Sequence, residues 1–159
     1  MANVFFLLGS NLGDKNRWLA GARQQISRHI GSIVTASSVY KTAAWGNESQ
    51  DDFYNQVIEV KTTQKPREVL QMIQKIEIQA GRKRIEKWGA RTLDIDILFW
   101  DDNVISSQDL QVPHPGIPHR RFTLIPLEEI APDMVHPTLQ KSIRQLLVDC
   151  KDGLMVERL

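Results

Sequence analysis

Residues 3–8 (NVFFLL) form a continuous apolar run of the kind a buried strand requires, and the rest of the chain must supply its cover. The run ends in Gly9-Ser10-Asn11-Leu12-Gly13, a turn-rich segment, and Asp14 stands where a helix N-cap would. The helix after it carries Trp18, Leu19, Ala22, Ile26 and Ile30 on one face, and Gly31 stops it. Two runs rich in β-branched and aromatic residues follow, 33–42 and 53–63, joined by a loop of Gly, Asn, Ser and Asp. Pro66 suits the first turn of a second helix, with Val69, Leu70, Ile73 and Ile76 at helical spacing and Gly81 beyond its end. Residues 93–100 read as another strand. The order βαββαβ predicts an α+β fold of ferredoxin-like type, an antiparallel sheet flanked by helices. Further C-terminal helices are expected over 121–130 and 142–150.

Composition narrows the function classes. Lys and Arg total 20 against 19 Asp and Glu, a formal net charge of +1, so the chain lacks the basic excess of a general nucleic-acid binder. Hydrophobic residues make up 42%, which excludes a disordered chain. The single cysteine, Cys150, permits neither an intrachain disulfide nor a cysteine zinc cluster. The apolar run near the N-terminus is far too short to span a bilayer and lacks the flanks of a signal peptide. One domain over residues 1–159 is expected, cytosolic, monomeric, and without a membrane or nucleic-acid partner.

The segment Leu93-Asp94-Ile95-Asp96-Ile97 carries the chemistry. Residues two apart on a strand share a face, so Asp94 and Asp96 project together, while Leu93, Ile95, Ile97 and Phe99 project the other way into the core. Paired carboxylates repel unless a cation sits between them, and Mg²⁺ takes one or two carboxylates plus substrate phosphates. Such a pair suits two metals about 4 Å apart. The spacing alone favours the plainer reading, a solvated edge strand whose carboxylates are neutralised by arginines. The neighbours shift that balance: Arg82, Arg84, Lys87 and Arg91 precede the pair, between Gly81 and Gly89. Guanidinium forks match phosphate oxygens, and Trp88 within a polar loop is available to stack on a planar ligand.

With these residues the chain resembles the 6-hydroxymethyl-7,8-dihydropterin pyrophosphokinases of folate biosynthesis. The resemblance runs through Gly9-Ser10-Asn11-Leu12-Gly13, Thr42…Trp45-Gly46, Asp52-Phe53-Tyr54-Asn55 and Glu77…Gly81-Arg82…Arg84. It is most specific in Lys87-Trp88-Gly89-Ala90-Arg91-Thr92-Leu93-Asp94-Ile95-Asp96-Ile97-Leu98. It continues through Val112-Pro113-His114-Pro115, Arg120-Arg121-Phe122 and Glu129-Ile130-Ala131-Pro132. The resemblance implies transfer of the β,γ-diphosphate of ATP to the pterin hydroxymethyl group, releasing AMP. It implies two Mg²⁺ on Asp94 and Asp96. Catalytic Arg82 and Arg91 would grip the phosphates, and ATP would also meet Gln74, Glu77, Arg84, Ile97, His114 and Arg120. For the pterin it implies Asn55 and Thr42 on the ring's edge, Phe53 and Phe122 on its faces, and Trp45 and Trp88 closing the site.

No side chain stands out as a general base, so positioning and metal stabilisation are the expected mechanism. His29, His119 and His136 are read as structural, and Met72 and Met134 as core filling. The chain departs from the family pattern at Ala43-Ala44, where two prolines are usual, and at Gly116, where many members carry Arg. Rival readings are an RNA-binding ferredoxin-like domain, which the acidic pair opposes, a Mg²⁺-dependent nucleotide hydrolase, and a regulatory small-molecule binding module. The Asn55, Phe53 and Phe122 set separates the pyrophosphokinase from the hydrolase, which needs no second planar-ring pocket.

Overall fold

The computed structural model describes residues 1–42, 52–81 and 92–159. Its central strand, β1 (Ala2–Ser10), is buried from Val4 onward, as the apolar run requires. Asp14 accepts the Arg17 N–H and caps α1 (Lys15–His29). The run expected over 33–42 is two strands, β2 (Ser32–Ala36) and β3 (Tyr40–Thr42). The break falls at Ser37, which is tied to the neighbouring β4 (Phe53–Thr62): Ser37 N–H donates to the Val57 carbonyl, and Val57 N–H donates to Ser37 Oγ. Next come α2 (Pro66–Gln79) and β5 (Asp94–Trp100), with Pro66 in the first turn of α2. A small hairpin, β6 (Ile105–Ser106) with β7 (Gln111–Val112), leads to α3 (Arg121–Ile130), α4 (Ile143–Asp149) and a last strand, β8 (Val156–Arg158).

The main sheet runs β5-β1-β4-β3-β8, with β2 also paired to β4, and every pairing is antiparallel. This is the sheet of a ferredoxin-like fold, and the helices at 121–130 and near 142–150 stand where the sequence puts them. Neither β8 nor the β6–β7 hairpin was legible in it.

Two clusters cover the two faces. On one, α1 and α2 bring Leu19, Ala22, Ile26, Val69, Ile73 and Ile76 onto Val4, Phe6, Leu8, Ile58 and Val60. On the other, α3 and α4 bring Leu124, Leu127, Ile143 and Leu146 onto Phe5, Leu7 and Val57. Met72 and Met134 pack against these clusters as fillers. Gly31 is required by contact, since a Cβ there would collide with the Lys61 carbonyl oxygen.

One expectation about β5 needs correction. Leu93, Ile95 and Ile97 do enter the α1/α2 cluster, but Phe99 lies in the α3/α4 cluster. Phe5 pairs with Phe99 and Phe6 with Ile97, so Leu98 is an extra residue on β5. Such a bulge shifts the alternation by one, and Phe99 changes face.

Candidate active site

Strand register builds the site. Gly9 pairs with Asn55 on one side and Asp94 on the other, and Asn55 pairs with Tyr40. Directly opposed residues share a face, so Asp94, Gly9, Asn55 and Tyr40 form one row across four strands. The next row is Asp96, Leu7 and Val57, and Leu7 and Val57 belong to the α3/α4 cluster. The two aspartates and Asn55 therefore stand on the α3/α4 face. Gly9 leaves the gap between the carboxylate and the amide; a Cβ there would sit 2.9 Å from Asn55 Oδ1 and 3.9 Å from the Phe53 ring. Asn55 is 3% exposed, and its Nδ2 has no hydrogen-bond partner among the described residues.

Asp94 and Asp96 are half-buried. Between them, the Ile95 N–H points off the open edge of β5 and donates to Glu77 Oε2 at 2.9 Å. Glu77 is itself buried on α2, so its carboxylate fixes the segment that carries the aspartates. Farther along the same edge the His114 N–H donates to the Leu98 carbonyl at 3.0 Å. Asp96, Ile97, His114, Leu70 and Ile73 line a cavity of about 270 Å³ together with Asp109, Leu110 and Gln111.

His114 is held in one tautomer. Its Nδ1 accepts the Gly116 N–H at 2.9 Å, which leaves Nε2–H as the donor of a neutral ring. Burial first and the Arg120 guanidinium second push its pKa down to about 4, against the opposing pull of Asp94. The Arg120 guanidinium carbon lies 5.8 Å from the centre of the Phe122 ring, and a Cβ at Gly116 would come within 2.8 Å of it. The missing side chain at Gly116 is thus the space Arg120 occupies. Phe122, in the first turn of α3, packs against the α3/α4 cluster, and Phe53 stands two residues before Asn55 on the same face.

The structure thus groups Asp94, Asp96, Ile97, His114 and Arg120 near one edge of the sheet, with Asn55 and Phe53 across the Gly9 gap. Thr42 pairs with Phe53 on one side and Val156 on the other, and its hydroxyl donates to the Met155 carbonyl at 3.1 Å. Gln74 is exposed on α2 and is not among the described residues lining the cavity. Trp45, Arg82, Arg84, Trp88 and Arg91 lie outside the described residues. Sequence reasoning missed Leu70, Ile73, Asp109, Leu110 and Gln111, which carry no motif chemistry. It gave no role to Ser10, whose buried hydroxyl also lacks a partner among the described residues; its place between Gly9 and Asn11 was the available signal. His136 is structural, accepting the Thr138 and Leu139 N–H groups through Nδ1.

Known proteins match this arrangement. Residues 5–132 match the family model described as 7,8-dihydro-6-hydroxymethylpterin-pyrophosphokinase (HPPK). A 2-amino-4-hydroxy-6-hydroxymethyldihydropteridine pyrophosphokinase of Aquifex aeolicus is 41% identical over 145 residues, covering 91% of this chain and 90% of the relative. One of Bacillus subtilis is 42% identical over 132 residues, covering 82% and 79%. Among solved structures, a Plasmodium falciparum HPPK-DHPS triple mutant with STZ-DHP superposes with a TM-score of 0.77 at 17% identity. That match covers 93% of this chain and 43% of that one. The superposition establishes the fold, and the chain spans less than half of that longer protein.

Proposed function

The chain belongs to the 7,8-dihydro-6-hydroxymethylpterin-pyrophosphokinase family, and from that premise we propose how its own residues divide the work. The reaction is transfer of the β,γ-diphosphate of ATP to the hydroxymethyl group of 6-hydroxymethyl-7,8-dihydropterin, a step of folate synthesis. The hydroxymethyl oxygen bonds to Pβ and releases its proton to solvent. The bond from Pβ to the oxygen bridging it to Pα breaks, and AMP leaves with that oxygen.

Asp94 and Asp96 hold the metal. Two carboxylates on one strand face, with no third His, Cys, Asp or Glu grouped with them among the described residues, fit Mg²⁺, which completes its shell with phosphate oxygens and water. When bound, two Mg²⁺ ions would neutralise the phosphates as negative charge shifts during transfer. Glu77 acts through the strand, keeping both carboxylates turned to the same side. His114 stays neutral near pH 7, so its Nε2–H donates to a phosphate oxygen and does not exchange protons with substrate. Arg120 contributes fixed positive charge beside it.

The pterin sits over the Gly9 gap. Asn55 Nδ2 donates to an acceptor on the ring's edge, and Phe53 and Phe122 supply apolar faces. Arg82, Arg84, Arg91, Trp45 and Trp88 complete the phosphate and ring contacts by family likeness, and the protein works as a cytoplasmic monomer. The observation that carries the reading is the cross-strand row, which puts a carboxylate suited to metal and an amide donor unpartnered among the described residues on either side of a side-chain-free position. Phosphorus NMR of the products from ATP, Mg²⁺ and 6-hydroxymethyl-7,8-dihydropterin tests it. AMP with a pterin diphosphate is expected. ADP with a pterin monophosphate, or free pyrophosphate with unmodified pterin, would overturn it.

A further inference from the structure

The C-terminal segment carries no motif, yet it bonds to both walls of the pterin pocket. At its start, Asp152 Oδ2 accepts the Arg121 N–H at 3.1 Å, the first turn of α3, which has no side-chain cap of its own. A carboxylate there satisfies an orphan helix donor and complements the helix dipole. The other oxygen, Oδ1, accepts the Leu154 N–H at 3.0 Å and turns the chain toward the sheet. Met155 then accepts the Thr42 hydroxyl, and β8 pairs along β3, Val156 with Thr42 and Arg158 with Tyr40. At the far end Arg158 lies 3.8 Å from Glu129, near the end of α3.

We infer that residues 152–158 form a strap that positions the pterin pocket, with Asp152 as its key residue. The inference rests on the reading of Phe122, Thr42 and Asn55 as pterin contacts. Phe122 rides on the helix turn that Asp152 holds, and Thr42 on the strand that β8 holds. The strap therefore sets how far the ring above stands from the sheet below. The metal-binding carboxylates are on β5, at the opposite edge of the sheet from β8, four strand spacings or about 19 Å away. A loosened strap weakens capture of the flat substrate more than nucleotide binding, which it reaches only through Arg120 at the start of α3. That separation is what a purely structural role would not produce.

The test compares wild type with Asp152→Asn, which keeps one acceptor oxygen and the shape, and Asp152→Ala, which keeps neither. The readouts are KM for pterin, KM for ATP and kcat, with calorimetric binding of the pterin in the presence of a non-hydrolysable ATP analogue and Mg²⁺. Pterin KM and dissociation constant are expected to rise about five- to tenfold in the Ala variant and less in the Asn variant. ATP KM should rise less than the pterin constants, and saturating kcat should stay within about twofold, because the strap meets the nucleotide side only where Arg120 precedes the turn that Asp152 holds. Glu157→Ala, which removes only the exposed 3.6 Å pair between β8 and Lys41 on β3, should change nothing. Unchanged pterin binding, or ATP and pterin constants moving together, would overturn the strap. So would loss of cooperative melting in both Asp152 variants. If wild type itself yields no pterin diphosphate, the activity reading fails instead, and the calorimetry still reads the strap.

Discussion

The two faces of the sheet are held by different balances of forces. Under α1 and α2 the contacts are mostly apolar, with polar ties from Arg23 to Gln56 and from Ile95 N–H to Glu77, and the helices are 15 and 14 residues long. Under α3 and α4 the helices are 10 and 7 residues long, and only part of the face is core. The rest is given to the site, and polar clasps replace the missing apolar area. Glu129 accepts from Ser38 N–H at 3.0 Å and from the Tyr40 hydroxyl at 2.6 Å, joining α3 to β3. Non-directional burial is enough for a platform, whereas walls that must stand at a set spacing around a ligand need directional bonds.

If that division is right, changes on the two faces should separate stability from activity. The largest effect is expected from Asp96→Asn, which should lower turnover about a hundred- to thousandfold while the melting temperature holds. Wild-type turnover would remove the carboxylates from the chemistry. Leu19→Ala, fully buried under α1, should cost about 2–5 kcal/mol in urea unfolding and leave both KM values of the folded enzyme as they were. A shifted pterin KM there would mean that the faces are coupled and would break the contrast.

Gly9→Ala is expected to raise pterin KM about tenfold by crowding Asn55, with ATP KM little changed, as steady-state kinetics would report. The smallest effect belongs to Tyr40→Phe, about 1–2 kcal/mol in the same unfolding assay. Its pH dependence sharpens the point. Burial, then the hydrogen bond to Glu129 and its charge, push Tyr40 up from 10.0 to about 12. A group raised on folding stabilises fully below its unfolded value, so this contribution stands to pH 10 and is lost as pH rises through 12. Burial pushes the Glu129 carboxyl up, but bonds from Tyr40 and Ser38, with Arg158 nearby, outweigh it and hold it below 4.5. Its contribution is therefore lost as pH falls through that lowered value. Tyr40→Phe should flatten the alkaline limb of stability against pH; an unchanged limb would mean the clasp is not the cause.

The same contrast governs what could be read from sequence. The α1/α2 face was legible because apolar period is its cause: Leu19, Ala22 and Ile26 announce a helix and what it covers. Asp94 and Asp96 were legible because a two-residue period fixes a common face. Ser37 was not, because its break between β2 and β3 comes from bonds to Val57, a residue from another strand. Nor was β8, whose three residues are a strand only through pairing with β3. Phe99 was misplaced because a period assumes that no residue is extra.

That extra residue, Leu98, makes β5 a strand in two phases. Upstream of it, odd-numbered residues face α1 and α2; downstream, even-numbered ones do, as Trp100 shows. Deleting Leu98 would join Ile97 to Phe99 and restore strict alternation, with both carboxylates, Phe99 and Trp100 on the faces they already hold, whereas deleting Ile95 would put Asp94 and Asp96 on opposite faces. The bulge is thus where the strand can lose a residue without turning a side chain over, while a residue lost between the two aspartates divides them between the faces.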